Sequence, residues 1–598
     1  MLLETLDLVI IAAVIAVTVL VGLWSSRQAG KNPDQYFLSG RGMSGWLLGI
    51  SLVATTFSTD TPGLVTELVR TQGVAGNWAW WAFLLTGMLT VFLFARLWRR
   101  SGVATDLEFY ELRYHGPAAR LVRMFRALYL GLVFNGLVMA GVSIAAIKIG
   151  HVMLGFSTTE VLLYGGLTAL ILSTIGGFRA VVLTDCLLFG VAMAGSFAAA
   201  YFAVQHPAVG GFGQLFNHPE VAAKQAILPP WDWSTEESRN LLMTVLLMPL
   251  LVQWWSVWYP GAEPGGGGYM AQRMLAAKNE NHSVGAVMLF NAAHYALRPW
   301  PWIVVALASL VAYPELADLE RAFPDLDPAK LGHDLAYPAM LTQAPTGWRG
   351  VILASLLSAY VSTISTQLNW GASYITYDFY KPLTGGAASD KQLVVVGRVT
   401  TVVIMVLTSL LAVYLQTARQ GFDLLLSVGA GTGLVFVLRW YWWRINAVSE
   451  IAAMIGSVLV AAFFQFTKHD FAPWQVMGLS VGVTTLIWLT ATLLTRPEPD
   501  ATLFSFLRLI RPRGPGWKRV YDRAAAEGHA IETDPRDSIR LGLLRMALGI
   551  AAIYGALFAI GKALYGESAT AVALAVVAVV AGGALAVSFR RGAAVVRG

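Results

Sequence analysis

Charge is scarce in this sequence. Asp, Glu, Lys and Arg make up 13% of its 598 residues, against about 25% in soluble domains. A water-soluble fold of that length would be left short of polar surface, which excludes a soluble enzyme, a nucleic-acid binder and a disordered scaffold. Cysteine is nearly absent: the lone Cys186 excludes an intramolecular disulfide and any cysteine-based metal site. No P-loop, Walker or kinase signature occurs, which argues against an ATP-driven pump. No His, Asp and Glu cluster has metal-ligand spacing, which makes a membrane enzyme or a channel the weaker readings. Hydrocarbon is abundant instead. Apolar residues make up 56% of the chain, in blocks of about twenty, and each block can cross a hydrocarbon core of ~30 Å. The net charge of +7 needs no acidic partner, because cytoplasmic loops collect Lys and Arg. The sequence predicts an all-α, polytopic membrane protein whose partners are the bilayer and a small solute.

The apolar blocks predict about fifteen spans, near 6–24, 44–70, 76–97, 122–153, 159–175, 180–204, 240–260, 284–312, 348–378, 391–415, 423–444, 447–467, 473–495, 541–563 and 567–588. Residues 1–30 read as a membrane helix rather than a cleavable signal, since Met1–Thr5 has no basic n-region. Basic residues give the orientation. With Met1 outside, Arg27, Lys31, Arg41, Arg96, Arg99, Arg100, Arg179, Arg273, Lys278 and Arg439 all fall inside, and the acidic loop 313–338 falls outside. An N-out, C-in arrangement therefore satisfies the positive-inside rule. Residues 496–540 carry Arg508, Arg511, Arg513, Lys518, Arg519 and Arg523 among Leu503–Leu507, Trp517 and Val520. That pattern suits a basic amphipathic linker on anionic lipid, or a regulatory or partner-docking module.

The chemistry must sit among the helices. In the second block, Thr55-Thr56-Phe57-Ser58-Thr59-Asp60-Thr61-Pro62-Gly63 interrupts an apolar helix. Such a break is tolerated at membrane depth only where freed carbonyls meet protein, water or an ion. In the ninth block Ser362, Thr363, Ser365 and Thr366 stand three and four apart, so their hydroxyls form a polar stripe. Hard oxygens without strong net charge suit Na⁺. Ser173–Asp185 joins two helices through Gly176-Gly177 and sets Asp185 inside the next span, where a carboxylate is either functional or paired with an arginine at the inner interface. At 1.5 Å per residue, Asp185 lies less than two turns from the inner end of its span. Thr366 lies ~26 Å from the outer end of its own, so the two can meet at one level.

Several motifs together resemble the sodium:solute symporter family: Tyr36–Arg41, the Ser51–Ser58 break, Gly176-Gly177 with Thr184-Asp185, Gln272-Arg273 with Ala276-Ala277-Lys278, and the Ser362-Thr363 helix. The resemblance runs over roughly residues 7–495. It implies a LeuT-like fold of two inverted five-helix repeats, here 44–204 and 240–445. Residues 446–495 would add two helices, 496–540 the cytoplasmic linker, and 541–598 two C-terminal helices with a short tail. It implies sodium-coupled symport in the plasma membrane by a chain acting as a monomer. The main sodium site would use the carbonyls of Ala54, Phe57 and Ala359 and the hydroxyls of Ser362 and Thr363. A second site found in some relatives matches Asp185, Ser362, Ser365 and Thr366, which implies two sodium ions per cycle. A membrane sensor and a proton-coupled symporter of the same fold are the alternatives.

The solute is less legible. Thr59, Asp60 and Thr61 at the break, Gln253, Trp255 and Trp258 in the seventh block, and Tyr295 and Arg298 in the eighth are the candidate contacts. Thr61 and Tyr295 stand where sugar-carrying relatives have a Gln and a Lys, which disfavours a glucose- or galactose-type solute. The tryptophans either stack on the solute or anchor the helix. Arg298 lies near the bilayer middle. Either it caps the kink at Pro299 or pairs with Asp60 or Glu67, or its bidentate fork binds a solute carboxylate.

Overall fold

The computed structural model describes residues 3–25, 32–256, 263–324, 328–414 and 431–594. Among these residues there is no β-strand, only an isolated bridge between Met43 and Ala277. Eleven helices there are long and apolar enough to cross a membrane. Three of the expected spans do not reach that length as separate helices among the described residues, each for a local reason. Residues 44–70 form two helices, α2 (Gly45–Thr56) and α3 (Asp60–Gln72), parted at Phe57 (φ −86°, ψ 79°). Pro62 falls in the first turn of α3, where a missing N–H costs no intrahelical bond. The spans 159–175 and 180–204 run on as one long helix, bent at Gly177 (φ 57°, ψ −165°), a conformation that favours glycine. The seventh span is helical over 236–251 and then tightens into a 3₁₀ turn at Gln253–Trp255. The eleventh falls partly outside the described residues.

The chain order is α1 (Thr5–Ser25), α2, α3, α4 (Val74–Ser101), α5 (Gly116–Leu154), α6 (Thr158–Val204), the broken segment 236–256, α7 (Gly268–Ala276), α8 (Glu280–Ala312), α9 (Trp348–Leu383), α10 (Asp390–Tyr414) and α11 (Gly433–Tyr441). Then follow α12 (Ala447–Phe466), α13 (Pro473–Leu494), α14 (Asp500–Ile510), α15 (Lys518–Ala526), α16 (Ile539–Leu564) and α17 (Ser568–Ala594). Small residues let the inner helices approach closely, as bilayer packing requires. A Cβ on Gly49 of α2 would lie 2.9 Å from the Ala286 carbonyl of α8. Next to the site, Met43 N donates to Ala276 O (3.1 Å) and Lys278 N to Met43 O (2.9 Å). These two bonds fasten the start of α2 to the end of α7.

Residues 496–540 fold onto the protein. Leu503, Phe506, Leu507, Ile510, Trp517 and Val520 are buried in the main apolar core, Trp517 stacks on Phe506 (5.3 Å), and its Nε1 donates to Trp440 O (2.8 Å). The amphipathic face that the sequence offers to lipid is thus covered by protein. Arg100, at the end of α4, fixes this cap by pairing with Glu280 (3.0 Å), Asp534 (3.1 Å) and Asp537 (2.8 Å). Burial pushes the Asp534 carboxyl up, but hydrogen bonds from the Arg536 side chain and backbone, with the Arg536 and Arg100 charges, outweigh it and hold it at about 2. A depressed carboxyl contributes stability above its unfolded value and loses it as pH falls through the folded one. The clamp therefore stays closed at neutral pH and weakens as pH falls from about 4 toward 2. Asp534→Asn should release the cap at neutral pH, read as several-fold faster proteolysis within 526–538 and unchanged cleavage elsewhere.

Candidate functional site

Two helices meet where α2 ends. The backbone leaves helical geometry at Phe57, and the last carbonyls of α2 point past its terminus with no helical partner ahead. Against them lies α9, whose polar stripe is wholly buried: Ser362, Thr363, Ser365 and Thr366 are each 1% exposed or less. Thr363 Oγ1 donates to Thr55 O across the gap at 2.7 Å. Thr366 Oγ1 lies 3.1 Å from Thr55 Oγ1. Ala54, Phe57 and Ala359 are buried around this contact, so the five residues of the expected main sodium site are gathered at one helix end. A cluster of neutral oxygens on carbonyls and hydroxyls is a suitable seat for a hard monovalent cation.

One turn away, Asp185 enters from the second half of α6. Its Oδ1 accepts from Ser362 Oγ (2.6 Å) and its Oδ2 from Ser51 Oγ (2.5 Å). Asp185 and Thr366 do meet at one level, but between them lies a guanidinium. Arg273 Nη2 of α7 donates to Thr366 Oγ1 (2.8 Å), Ser51 Oγ (3.1 Å) and Thr55 Oγ1 (3.4 Å), and stands 3.6 Å from Asp185 Oδ2. Both charged side chains are fully buried. The Arg273 fork also rests on the Phe178 ring at 5.0 Å. Ser365 turns its hydroxyl to its own helix, on Ser362 O (3.2 Å). Of the alternatives for Asp185, the arginine pair is present, and its partner sits in the core.

The other face of the break carries a second polar group. Arg298 Nη1 donates to Val53 O and Thr56 Oγ1 (3.2 Å each), and Nη2 pairs with His294 Nε2 (3.1 Å). His294 Nδ1 reaches Thr56 Oγ1 (3.1 Å). The guanidinium lies over Trp302 (5.3 Å) and Phe57 (6.0 Å). Arg298 thus caps a helix end, though on α2 rather than at its own kink. Its hydrogen bonds go to neither Asp60 nor Glu67 but to Val53 O, an oxygen that also accepts from Phe57 N (2.9 Å). Tyr295 stacks on Trp80 (6.0 Å). Gln253 Nε2 donates to Ala79 O (2.8 Å), while Trp255 Nε1 and Asp60 Oδ1 are buried without a hydrogen-bond partner among the described residues. Thr59 Oγ1 donates to Leu356 O (3.2 Å), and Thr61 lies half-buried in the first turn of α3. Trp258 lies outside the described residues.

The model of the sodium:solute symporter family matches residues 36–458. The chain belongs to that family. It is similar to the sodium/glucose cotransporter of Vibrio parahaemolyticus, 28% identical over 482 residues that cover 78% of this chain and 86% of the relative. It is also similar to sodium/glucose cotransporter 1 of Sus scrofa, 25% identical over 585 residues, 90% of this chain and 85% of that one. The substrate-bound outward-open structure of a Na⁺-coupled sialic acid symporter aligns with a TM-score of 0.63 at 19% identity, over 83% of this chain and 99% of that one. That likeness is one of fold.

In this member of the sodium:solute symporter family, Thr55 and Thr56 of the hydroxyl-rich break are joined at the site by Ser51, Arg273 and His294, which the sequence does not mark as contacts. Ser51 and Arg273 stood inside quoted motifs, but nothing local says that a guanidinium 222 residues away reaches the break. Arg298→Lys separates the two roles open to that residue. A single ammonium cannot span Val53 O, Thr56 and His294 together, nor stack on Trp302. The expected result is a loss of folded protein and a lower melting temperature. Solute affinity should be unchanged in what remains.

Proposed function

We propose that the chain is a secondary active transporter, carrying a small polar organic solute with sodium by alternating access across the plasma membrane, as a monomer. Residues 44–204 and 240–445 read as the two inverted repeats, each opening on a broken helix. About fifteen spans, N-out and C-in, complete the topology. The observation that carries the reading is the bond from Thr363 to Thr55 O: it closes α9 on the carbonyl end of α2, where a sodium ion held by Ala54, Phe57, Ala359, Ser362 and Thr363 would join the same two helices. Loss of the ion would let them part, which couples ion release to a helix movement. The solute would lie beside the break, among Thr59, Asp60, Thr61, Gln253, Trp255 and Tyr295, with Arg298 holding the end of α2 rather than touching the solute. Asp185 and Thr366 already hold the Arg273 guanidinium, and this favours one sodium per cycle over two.

The test is uptake by proteoliposomes against a panel of labelled sugars, polyols, amino acids and carboxylates. Accumulation should require an inward sodium gradient. Equal accumulation on a proton gradient in sodium-free buffer would overturn the choice of ion.

A further inference from the structure

A cavity of about 500 Å³ lies between α1 and the body of the protein, walled by α1, α5, α6 and α9. It falls within the range of ligand pockets, ~300–1,000 Å³. Its lining is hydrocarbon: Leu8, Ile11 and Ile15 from α1, Ile149 from α5, Ile171 from α6 and Leu357 from α9 are representative. The few hydroxyls on the wall are turned elsewhere. Thr59 donates to Leu356 O (3.2 Å), Thr168 to Tyr164 O (2.8 Å), and the Tyr360 hydroxyl pairs with Ser143 (3.3 Å). Tyr164 stands at the rim, 56% exposed. Water has too few polar partners to reside there.

The walls are fixed at both ends. Asp7 Oδ1 accepts from Gly347 N (2.7 Å) and Gly350 N (2.8 Å), which pins the start of α1 to the start of α9. Gly22 meets Leu172 of α6 near the other end. Between these points α1 arches over the cavity. The rim runs into outward apolar faces at Leu8 (43% exposed), Tyr164 and Leu167 (50%), and most of α1 has no protein cover. The opening is therefore at hydrocarbon depth, where acyl chains are the surrounding solvent.

We infer that this cavity binds an acyl chain of a membrane phospholipid, inserted sideways between α1 and α6 until it reaches Thr59 at the break between α2 and α3. A chain seated there touches both α9 and the break. It can therefore bias their separation only to the extent that it binds one arrangement better. The inference needs the membrane setting but no particular coupling ion, and its readout is independent of transport.

The full-length protein is placed in phosphatidylcholine nanodiscs that contain a trace of phosphatidylcholine carrying a mid-chain diazirine. It is then irradiated, digested and mapped by mass spectrometry. Adducts should fall on 8–15 and 164–171 at about fivefold the density found on the outward face of α17, around Val576, Val579 and Val580. Ala146→Phe, which places a ring in the cavity, should remove the excess and leave α17 labelling unchanged. Leu357→Trp serves the same purpose if the first variant does not fold. Equal labelling of the cavity and α17, or an excess that survives both filled variants, would overturn the inference. So would labelling by a free diazirine fatty acid but not by the phospholipid.

Discussion

Replacing Ser362 and Thr363 together by alanine should raise the half-saturating sodium concentration by about 100-fold or more, since each hydroxyl bonded to a charged group contributes roughly 1.5–3 kcal/mol. The single variants should each cost about tenfold on the same arithmetic. Thr363→Ser keeps an oxygen at the position and should stay near wild type, which separates loss of a ligand from loss of packing. The fold should survive. Thr363 gives up one bond to Thr55 O and Ser362 one bond to Asp185, while Asp185 keeps Ser51 and Arg273. Uptake is measured against sodium concentration in proteoliposomes. An unchanged sodium dependence in the double variant would mean that the ion binds elsewhere.

The elements of this site that the sequence made visible are the local ones. The break at Phe57 follows from hydroxyls, a carboxylate and a proline packed into nine residues. The bend at Gly177 follows from a glycine pair. The stripe on α9 follows from helical spacing alone. Even the common level of Asp185 and Thr366 could be reached by counting rise per residue. Contacts between distant segments were beyond such reading. Arg273 meets Ser51 and Thr366, and Arg298 meets Val53, across 93 to 245 residues of chain. In each case a guanidinium fork found carbonyls and hydroxyls that no periodicity predicts. The cap at 496–540 shows the same limit. Its apolar stripe says that something must cover it, and protein and lipid satisfy that demand equally until Trp517 is seen against Trp440.

Arg273 also decides the expected ion count. The Asp185 oxygens accept from two serines, and among the described residues the positive charge beside them belongs to Nη2 of Arg273, which also donates to Thr366 and Ser51. A sodium ion entering the same oxygens would face that guanidinium at close range. Two unit charges ~4 Å apart repel by about 4 kcal/mol even at an effective dielectric of 20. One carboxylate cannot balance both, so the wild-type protein should move about one charge per neutral solute, with no cooperativity in sodium. Arg273→Gln should change this. It leaves Asp185 buried without its cation, and breaking such a pair costs roughly 3–5 kcal/mol, a cost that sodium can partly offset by binding there. The variant should be less stable without sodium, gain more melting temperature from it than wild type does, and show a charge-to-solute ratio rising toward two. Asp185→Asn alone strands the guanidinium and should destabilise by a similar amount with no rescue by sodium. Combining it with Arg273→Gln should restore most of the stability, since neither charge is then left unpaired. A wild-type ratio near two, with Arg273 in place, would show that the guanidinium leaves Asp185 during the cycle and that the second ion takes its seat.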